Sequence, residues 1–293
     1  MPLSKHCSGW RSVSALLSSL LPLLAIGNLS AATMPVDGGR WVVYYGAEAQ
    51  PESFAPYDLV VLESFGHPPL QPLRDRKKTL LGYISVGEID SGRPYYAEFM
   101  KQNLLIAENP NWPGSYSIDI RDPRWTKKLV EELIPSVLHQ GFDGIFLDTL
   151  DNPPHLERQD PKKYAGMTPA AVRLIRVIRQ NYPQIKIMVN RAYEILPEVG
   201  GLIDYVLGES VYTSYDFQNK TPRHSSQTDY QYQVKVLTDL KRSFPNLKVM
   251  SLDYWDPQDQ EGIAKIYAVQ RTNGFIPYVS TVDLNSIIAE PRP

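Results

Sequence analysis

Cysteine is almost missing from this chain. Cys7 is the single one among 293 residues, which excludes an internal disulfide framework, a cysteine-built zinc site and thiol chemistry anywhere else. Histidine is scarce as well. The five present are His6, His67, His139, His155 and His224, and none ends one of the strand-like runs described below, so the His-x-His start of a barrel metallohydrolase is lacking. No excess of basic charge appears: 30 Lys and Arg stand against 32 Asp and Glu, without a basic tail or cluster, which weighs against a nucleic-acid partner. No Gly-x-Ser-x-Gly elbow is present to support a serine nucleophile. No strand-like run ends on a lysine, so Schiff-base chemistry has no candidate.

Long hydrophobic runs are confined to the N-terminus. Lys5 and Arg11 precede an apolar stretch from Val13 to Gly27, and Ser30-Ala31-Ala32 supplies small residues for cleavage after Ala32. The apolar stretch falls short of the ~20 residues a spanning helix needs, so residues 1–32 read as a secretory signal peptide. The alternative is a retained anchor. The expected mature chain, residues 33–293, is a secreted or periplasmic monomer without further membrane contact. Without Lys5 and Arg11 it has 28 basic and 32 acidic residues, a net charge of −4.

What the rest contains is globular: 43% hydrophobic and 21% charged residues provide for a sizeable core. Eight short, apolar, β-branched runs recur: Trp41 to Tyr45, Asp58 to Glu63, Leu80 to Val86, Asp143 to Asp148, Ile185 to Asn190, Asp204 to Glu209, Leu247 to Asp253 and Gly274 to Val279. Near-continuous apolar runs are expected of parallel strands covered on both faces. Helical periodicity lies between them over Pro123 to Gln140, Thr168 to Tyr182, Thr228 to Phe244 and Asp259 to Thr272. The alternation predicts an α/β protein with a single (β/α)8 TIM barrel. An open doubly wound sheet would want a glycine-rich phosphate turn after the first strand, and Tyr44-Tyr45-Gly46-Ala47 is not one. The longest insertions follow the third run (87–121) and the fourth (149–167).

Barrel chemistry sits at the C-terminal strand ends. Those ends read Tyr45, Glu63, Glu88, Asp148, Asn190, Glu209, Asp253 and Tyr278, with Asp90, Asp151 and Asp256 just beyond. Carboxylates gathered on one rim repel one another and cost solvation, so stability alone does not explain them. Glycoside hydrolysis needs two carboxylates around one bond. Aromatics on the same rim, Tyr45, Tyr83, Tyr212, Tyr254 and Trp255 among them, suit pyranose rings. A hard cation held on the carboxylate oxygens stays open, as does a non-catalytic sugar-binding barrel.

Two stretches, Tyr83-Ile84-Ser85-Val86-Gly87-Glu88 and Gly141-Phe142-Asp143-Gly144-Ile145-Phe146-Leu147-Asp148-Thr149-Leu150-Asp151, resemble signatures of the endo-α-1,4-polygalactosaminidase superfamily, and Gly208-Glu209-Ser210 and Leu252-Asp253-Tyr254-Trp255 fit as well. The resemblance spans Val42 to Val279. It implies a TIM-barrel hydrolase of galactosamine-containing, Pel-like exopolysaccharide. With no histidine at a strand end and an amine-bearing substrate to fill the acidic site, no metal and no cofactor are expected. The superfamily's catalytic Asp and Glu carry over to Asp148 as nucleophile and Glu209 as acid/base. Tyr45, Glu63, Tyr83, Glu88, Asp151, Asn190, Tyr212, Asp253, Tyr254 and Trp255 are the expected substrate contacts. The pattern departs at Phe146-Leu147-Asp148-Thr149, where better-studied members carry an acidic residue and an Asp-Asn pair. A polymer bearing ammonium groups would suit the acidic rim.

Overall fold

The computed structural model describes residues 39–291; the expected signal segment, residues 1–32, lies outside them. The described strands are β1 (Trp41–Tyr44), β2 (Leu59–Glu63), β3 (Thr79–Ser85), β4 (Glu88–Asp90), β5 (Leu105–Glu108), β6 (Ser115–Ile118), β7 (Gly144–Asp148), β8 (Lys186–Asn190), β9 (Tyr205–Glu209), β10 (Thr213–Asp216), β11 (Thr221–His224), β12 (Lys248–Tyr254) and β13 (Ile276–Ser280). Eight of them form one sheet in the order β1-β2-β3-β7-β8-β9-β12-β13, parallel throughout. β1 and β13 lie side by side at the seam, where the Trp41 indole N–H donates to the Ile276 carbonyl at 2.9 Å. This is the (β/α)8 barrel, and all eight expected strands are in it.

Register decides which side chains reach the interior. Parallel partners face the same way, and facing alternates every residue. Ser85 is level with Asp148, Phe146 with Met188, Met188 with Tyr205, Leu252 with Glu209 and Tyr254 with Ser280. Stepping by two along each strand therefore puts Tyr83, Ser85, Asp148, Asn190, Glu209 and Tyr254 on one face. Leu147, Val189, Val206 and Asp253 fall on the other, against the helices.

The helix expected over 123–140 is there but not uniform. It runs as Pro123–Lys128, a wider π-turn at Leu129–Leu133, and Ile134–Gln140. Pro135 sits at the junction, has no N–H to donate, and its ring would crowd the carbonyl four residues earlier; the π-turn absorbs both. Trp125 ties this helix to the barrel, its indole N–H donating to the Val86 carbonyl at 2.8 Å. The helix expected from Thr168 begins at Met167. Its free amides are capped by Glu157, which accepts from Gly166 N and Thr168 N, both at 2.7 Å.

Two small sheets were not foreseen. β4-β6-β5 is antiparallel and fills the insertion after β3. β10 and β11 form a hairpin after β9. Their strands are short and mostly half-exposed, so they lack the apolar runs that mark the barrel strands.

Gly87, in the loop leaving β3, explains part of the Ser-Val-Gly-Glu stretch. A Cβ there would stand 2.0 Å from the Thr149 carbonyl oxygen, and its N–H donates to Thr149 Oγ1 at 2.8 Å. We expect Gly87→Ala to push the β3 and β7 ends apart and cost about 2–3 kcal/mol, read as a lower denaturant midpoint. An unchanged midpoint would show that the two loops do not depend on this approach.

Candidate active site

The interior-facing residues of neighbouring strands converge at the C-terminal mouth. Asn190 stands at the centre: its Nδ2 donates to Asp148 Oδ1 at 2.9 Å and to Glu209 Oε2 at 2.6 Å. The two distances sum to 5.5 Å, an upper limit on the separation of the oxygens they join. The amide orientation follows, since the reversed one would set Oδ1 against two carboxylate oxygens. Oδ1 itself is buried without a hydrogen-bond partner.

Each carboxylate also has a tyrosine. Tyr83 OH donates to Asp148 Oδ2 at 3.0 Å, and Tyr254 OH donates to Glu209 Oε1 at 2.6 Å. Asp148 Oδ1 takes a further donor from the Thr149 backbone N–H at 2.8 Å. Three donors thus hold Asp148 and two hold Glu209. Tyr45 completes the group, its ring centroid 5.0 Å from that of Tyr83. Burial holds the hydroxyls of Tyr45, Tyr83 and Tyr254 well above their ordinary pKa, with the nearby negative charges adding to it. All three stay protonated donors at neutral pH.

The chain leaves all three strands by the same unfavourable route. Thr149 (φ 63°), Arg191 (51°), Ala192 (50°) and Ser210 (57°) follow Asp148, Asn190 and Glu209 directly, all in the left-handed region. For L-residues this costs roughly 1–2 kcal/mol each, and such strain collects at functional sites. At Thr149 the side chain offsets it: Oγ1 donates to the Asp148 carbonyl at 2.6 Å and accepts from Gly87 N at 2.8 Å.

A paired-carboxylate mouth on a (β/α)8 barrel is the arrangement of sugar hydrolases, and the comparisons agree. The profile described as glycoside-hydrolase family GH114 matches residues 25–292. The chain belongs to glycoside-hydrolase family GH114. It is similar to an uncharacterised protein of Deinococcus radiodurans, 26% identical over 248 residues, covering 80% of this chain and 76% of that one. One from Thermotoga maritima is 26% identical over 217 residues, covering 70% and 65%. Among solved structures, the glycoside hydrolase domain of PelA from Pseudomonas aeruginosa matches with a TM-score of 0.76 and 25% identity, covering 86% of this chain and 98% of that one. Aspergillus fumigatus Ega3, solved in complex with galactosamine, shares the fold with a TM-score of 0.63 and 16% identity, covering 88% and 98%. The chain is therefore a glycoside hydrolase, not a non-catalytic sugar-binding barrel.

In this GH114 chain several residues expected at the substrate are engaged elsewhere. Glu88 does not end the third strand, which stops at Ser85; it opens β4. Its buried carboxylate accepts from Asn109 at 2.9 Å, Ser115 at 2.6 Å and Asn152 at 2.5 Å. Asp253 is fully buried on the outward face of β12, because that strand runs one residue further, to Tyr254. It accepts from Tyr212 N and Thr213 N, both at 2.7 Å, and from Gln270 at 2.5 Å. Both carboxylates, expected at the substrate, are thus turned into the protein and saturated by its own donors. Trp255 faces outward too, donating to Asp259 at 2.8 Å, and it stacks with His224, which meets Tyr212. Glu63 reaches the rim but is neutralised by a bidentate pair with Arg93, 2.9 Å at each oxygen. Asp151 lies 3.7 Å from Arg191; burial raises its pKa against that cation, and Glu209 and Glu88 add to the rise.

Arg191 and Arg93 were missed by sequence reasoning. Each stands one to several positions past a strand end, where only acidic and aromatic types were read. Among the described residues no group of three or more His, Cys, Asp or Glu side chains is placed to hold a metal ion.

Burial, and after it the charge of Glu209, push Asp148 up to about 6, against the donors from Asn190 and Thr149. An unfolded Asp titrates near ~3.9. Between those values the folded state keeps a proton that the unfolded state has lost, so stability falls as pH rises through this window. Above it the full penalty remains. Asp148→Asn removes the charge, and we expect it to raise stability at pH 8 on the order of 1–2 kcal/mol, with no gain at pH 3.5. Paired denaturant melts check this, and a loss at pH 8 would contradict it.

Proposed function

We propose that this glycoside hydrolase is exported, acts within chains, and cleaves α-1,4-linked galactosamine and N-acetylgalactosamine polymers of the Pel-like exopolysaccharide kind with retention of configuration. The observation that carries the mechanism is the Asn190 amide held between two carboxylates. Retaining enzymes place their carboxyl groups about 5–5.5 Å apart, whereas inverting ones leave ~6.5–9.5 Å for a water. An oxygen separation of at most 5.5 Å, the sum of 2.9 and 2.6 Å, favours the first.

The donors support a division of roles. Asp148, with a backbone N–H, an amide and a phenol on its oxygens, is held as the anion that attacks the anomeric carbon. With a pKa of about 6 it is mostly ionised at neutral pH. Glu209 then protonates the leaving oxygen and later takes a proton from water. Tyr45, Tyr83 and Tyr254 flank the pair and offer a face and hydroxyls to the sugar.

The substrate class is supported by Ega3, a relative in fold whose structure contains galactosamine. The acidic mouth supports an ammonium-bearing polymer, although only the Asp148 and Glu209 pair lies there without a cationic partner: Asp151 and Glu63 share their charge with Arg191 and Arg93, and Glu88 and Asp253 are held by their own donors. Export is supported by the N-terminal charge and apolar pattern, and a monomeric state goes with this reading.

Incubation with acetylated and partly deacetylated α-1,4-galactosaminan, followed by product sizing and NMR of the first anomer, tests the reading. Retained oligosaccharides are expected; no release from either polymer would sink the substrate class, and an inverted first product the mechanism. With an activated glycoside, Glu209→Ala should accumulate a covalent intermediate that azide turns over. Azide rescue of Glu209→Ala with inversion would mean that the two roles are exchanged.

Asn190→Asp separates the amide from the pair. The acid limb of kcat/KM reads the ionisation of Asp148 in the free protein, expected near 6 from its environment. Replacing a donor by a third carboxylate favours the protonated form, so the limb should move to about 7 or above. A limb that stays in place would mean that Asn190 does not govern Asp148.

A further inference from the structure

Two arms unused by the chemistry meet above it. The β5–β6 turn carries Trp112, and the tip of the β10–β11 hairpin carries Phe217. Their ring centroids are 5.4 Å apart, edge to face, and Phe217 continues to Tyr215 at 5.3 Å. Trp112 is 48% exposed and Phe217 38%. The first arm follows β3 and the second follows β9, and barrel order places β7 and β8 between those strands. The rings therefore join the two sides of the mouth across the strands that carry Asp148 and Asn190.

Both arms are rooted on the buried carboxylates that do not face the substrate. Glu88 holds Asn109 and Ser115, which bracket the Trp112 turn, and that turn closes through Trp112 N to Asn109 O at 3.2 Å and Ser115 N to Trp112 O at 3.0 Å. Asp253 holds the backbone of Tyr212 and Thr213 at the base of the hairpin. Among the described residues no hydrogen bond or ion pair links one arm to the other. The arms are thus tied down at their roots by hydrogen bonds and joined at their tips by the ring contact.

We propose that Trp112 and Phe217 form a sugar-binding clasp across the mouth. It takes a pyranose unit of the polymer away from the scissile bond, through its C–H face and, on a deacetylated unit, its ammonium group over the rings. The clasp rests on the substrate reading given above.

The test compares the parent with Trp112→Ala, Phe217→Ala and Trp112→Phe on the galactosaminan polymer and on an activated aryl disaccharide too short to reach the arms. The alanine variants should lose polymer-over-disaccharide selectivity by roughly tenfold, through KM rather than kcat. Trp112→Phe should recover most of it. In an Asp148→Asn background, adding polymer should alter tryptophan emission, and Trp112→Ala should abolish that change. Selectivity within twofold of the parent in both alanine variants overturns the clasp alone, as does an equal loss on both substrates, which marks a scaffold role. A parent inactive on every galactosaminan overturns the substrate reading and the clasp together.

Discussion

One amide nitrogen lies between two carboxylates, and much of the mouth is arranged to allow it. Two half-buried carboxylates whose nearest oxygens lie within 5.5 Å, the sum of the Asn190 contacts of 2.9 and 2.6 Å, repel each other when both are ionised, more so where water is scarce. A shared N–H2 group answers both at once, and a tyrosine on the far side of each answers the remaining oxygen. The compensation is incomplete, and Asp148 is left near 6. That value is useful: it is low enough for an anion at neutral pH and high enough that the pair stays sensitive to its surroundings. Removing the charge at Asp148 removes that repulsion.

The backbone contributes strain at the same place. Three consecutive barrel strands, β7, β8 and β9, each end on a site residue and turn away through left-handed positions. The loops are held by contacts such as Thr149 Oγ1 to Gly87 N, where even a methyl group on Gly87 has no room. The strain persists because the packed barrel over-determines it.

Glu88 and Asp253 show a second use of buried carboxylates. Each collects at least three donors and so satisfies its charge within the protein. What they organise is the loops: one roots the sheet after β3, the other the hairpin after β9. The acidic richness of the rim is therefore divided between chemistry and scaffolding.

The sequence alone determined the eight-stranded barrel, because fully covered parallel strands must be continuous apolar runs, and it placed Asp148, Asn190 and Glu209 at three of their ends. It also marked the helix over 123–140, though not the π-turn that Pro135 requires. Only tertiary structure decided facing. A strand end misjudged by one residue turns an inward side chain outward, which is why Asp253 was read as a substrate contact and Tyr254, beside it, is the group that holds Glu209. Tertiary structure also decided which charges are free, since the partners of Glu63 and Asp151, Arg93 and Arg191, lie 30 and 40 positions away in the chain. The meeting of Trp112 with Phe217, 105 residues apart, has no trace in local pattern, because loops that touch only at their tips leave no periodicity behind.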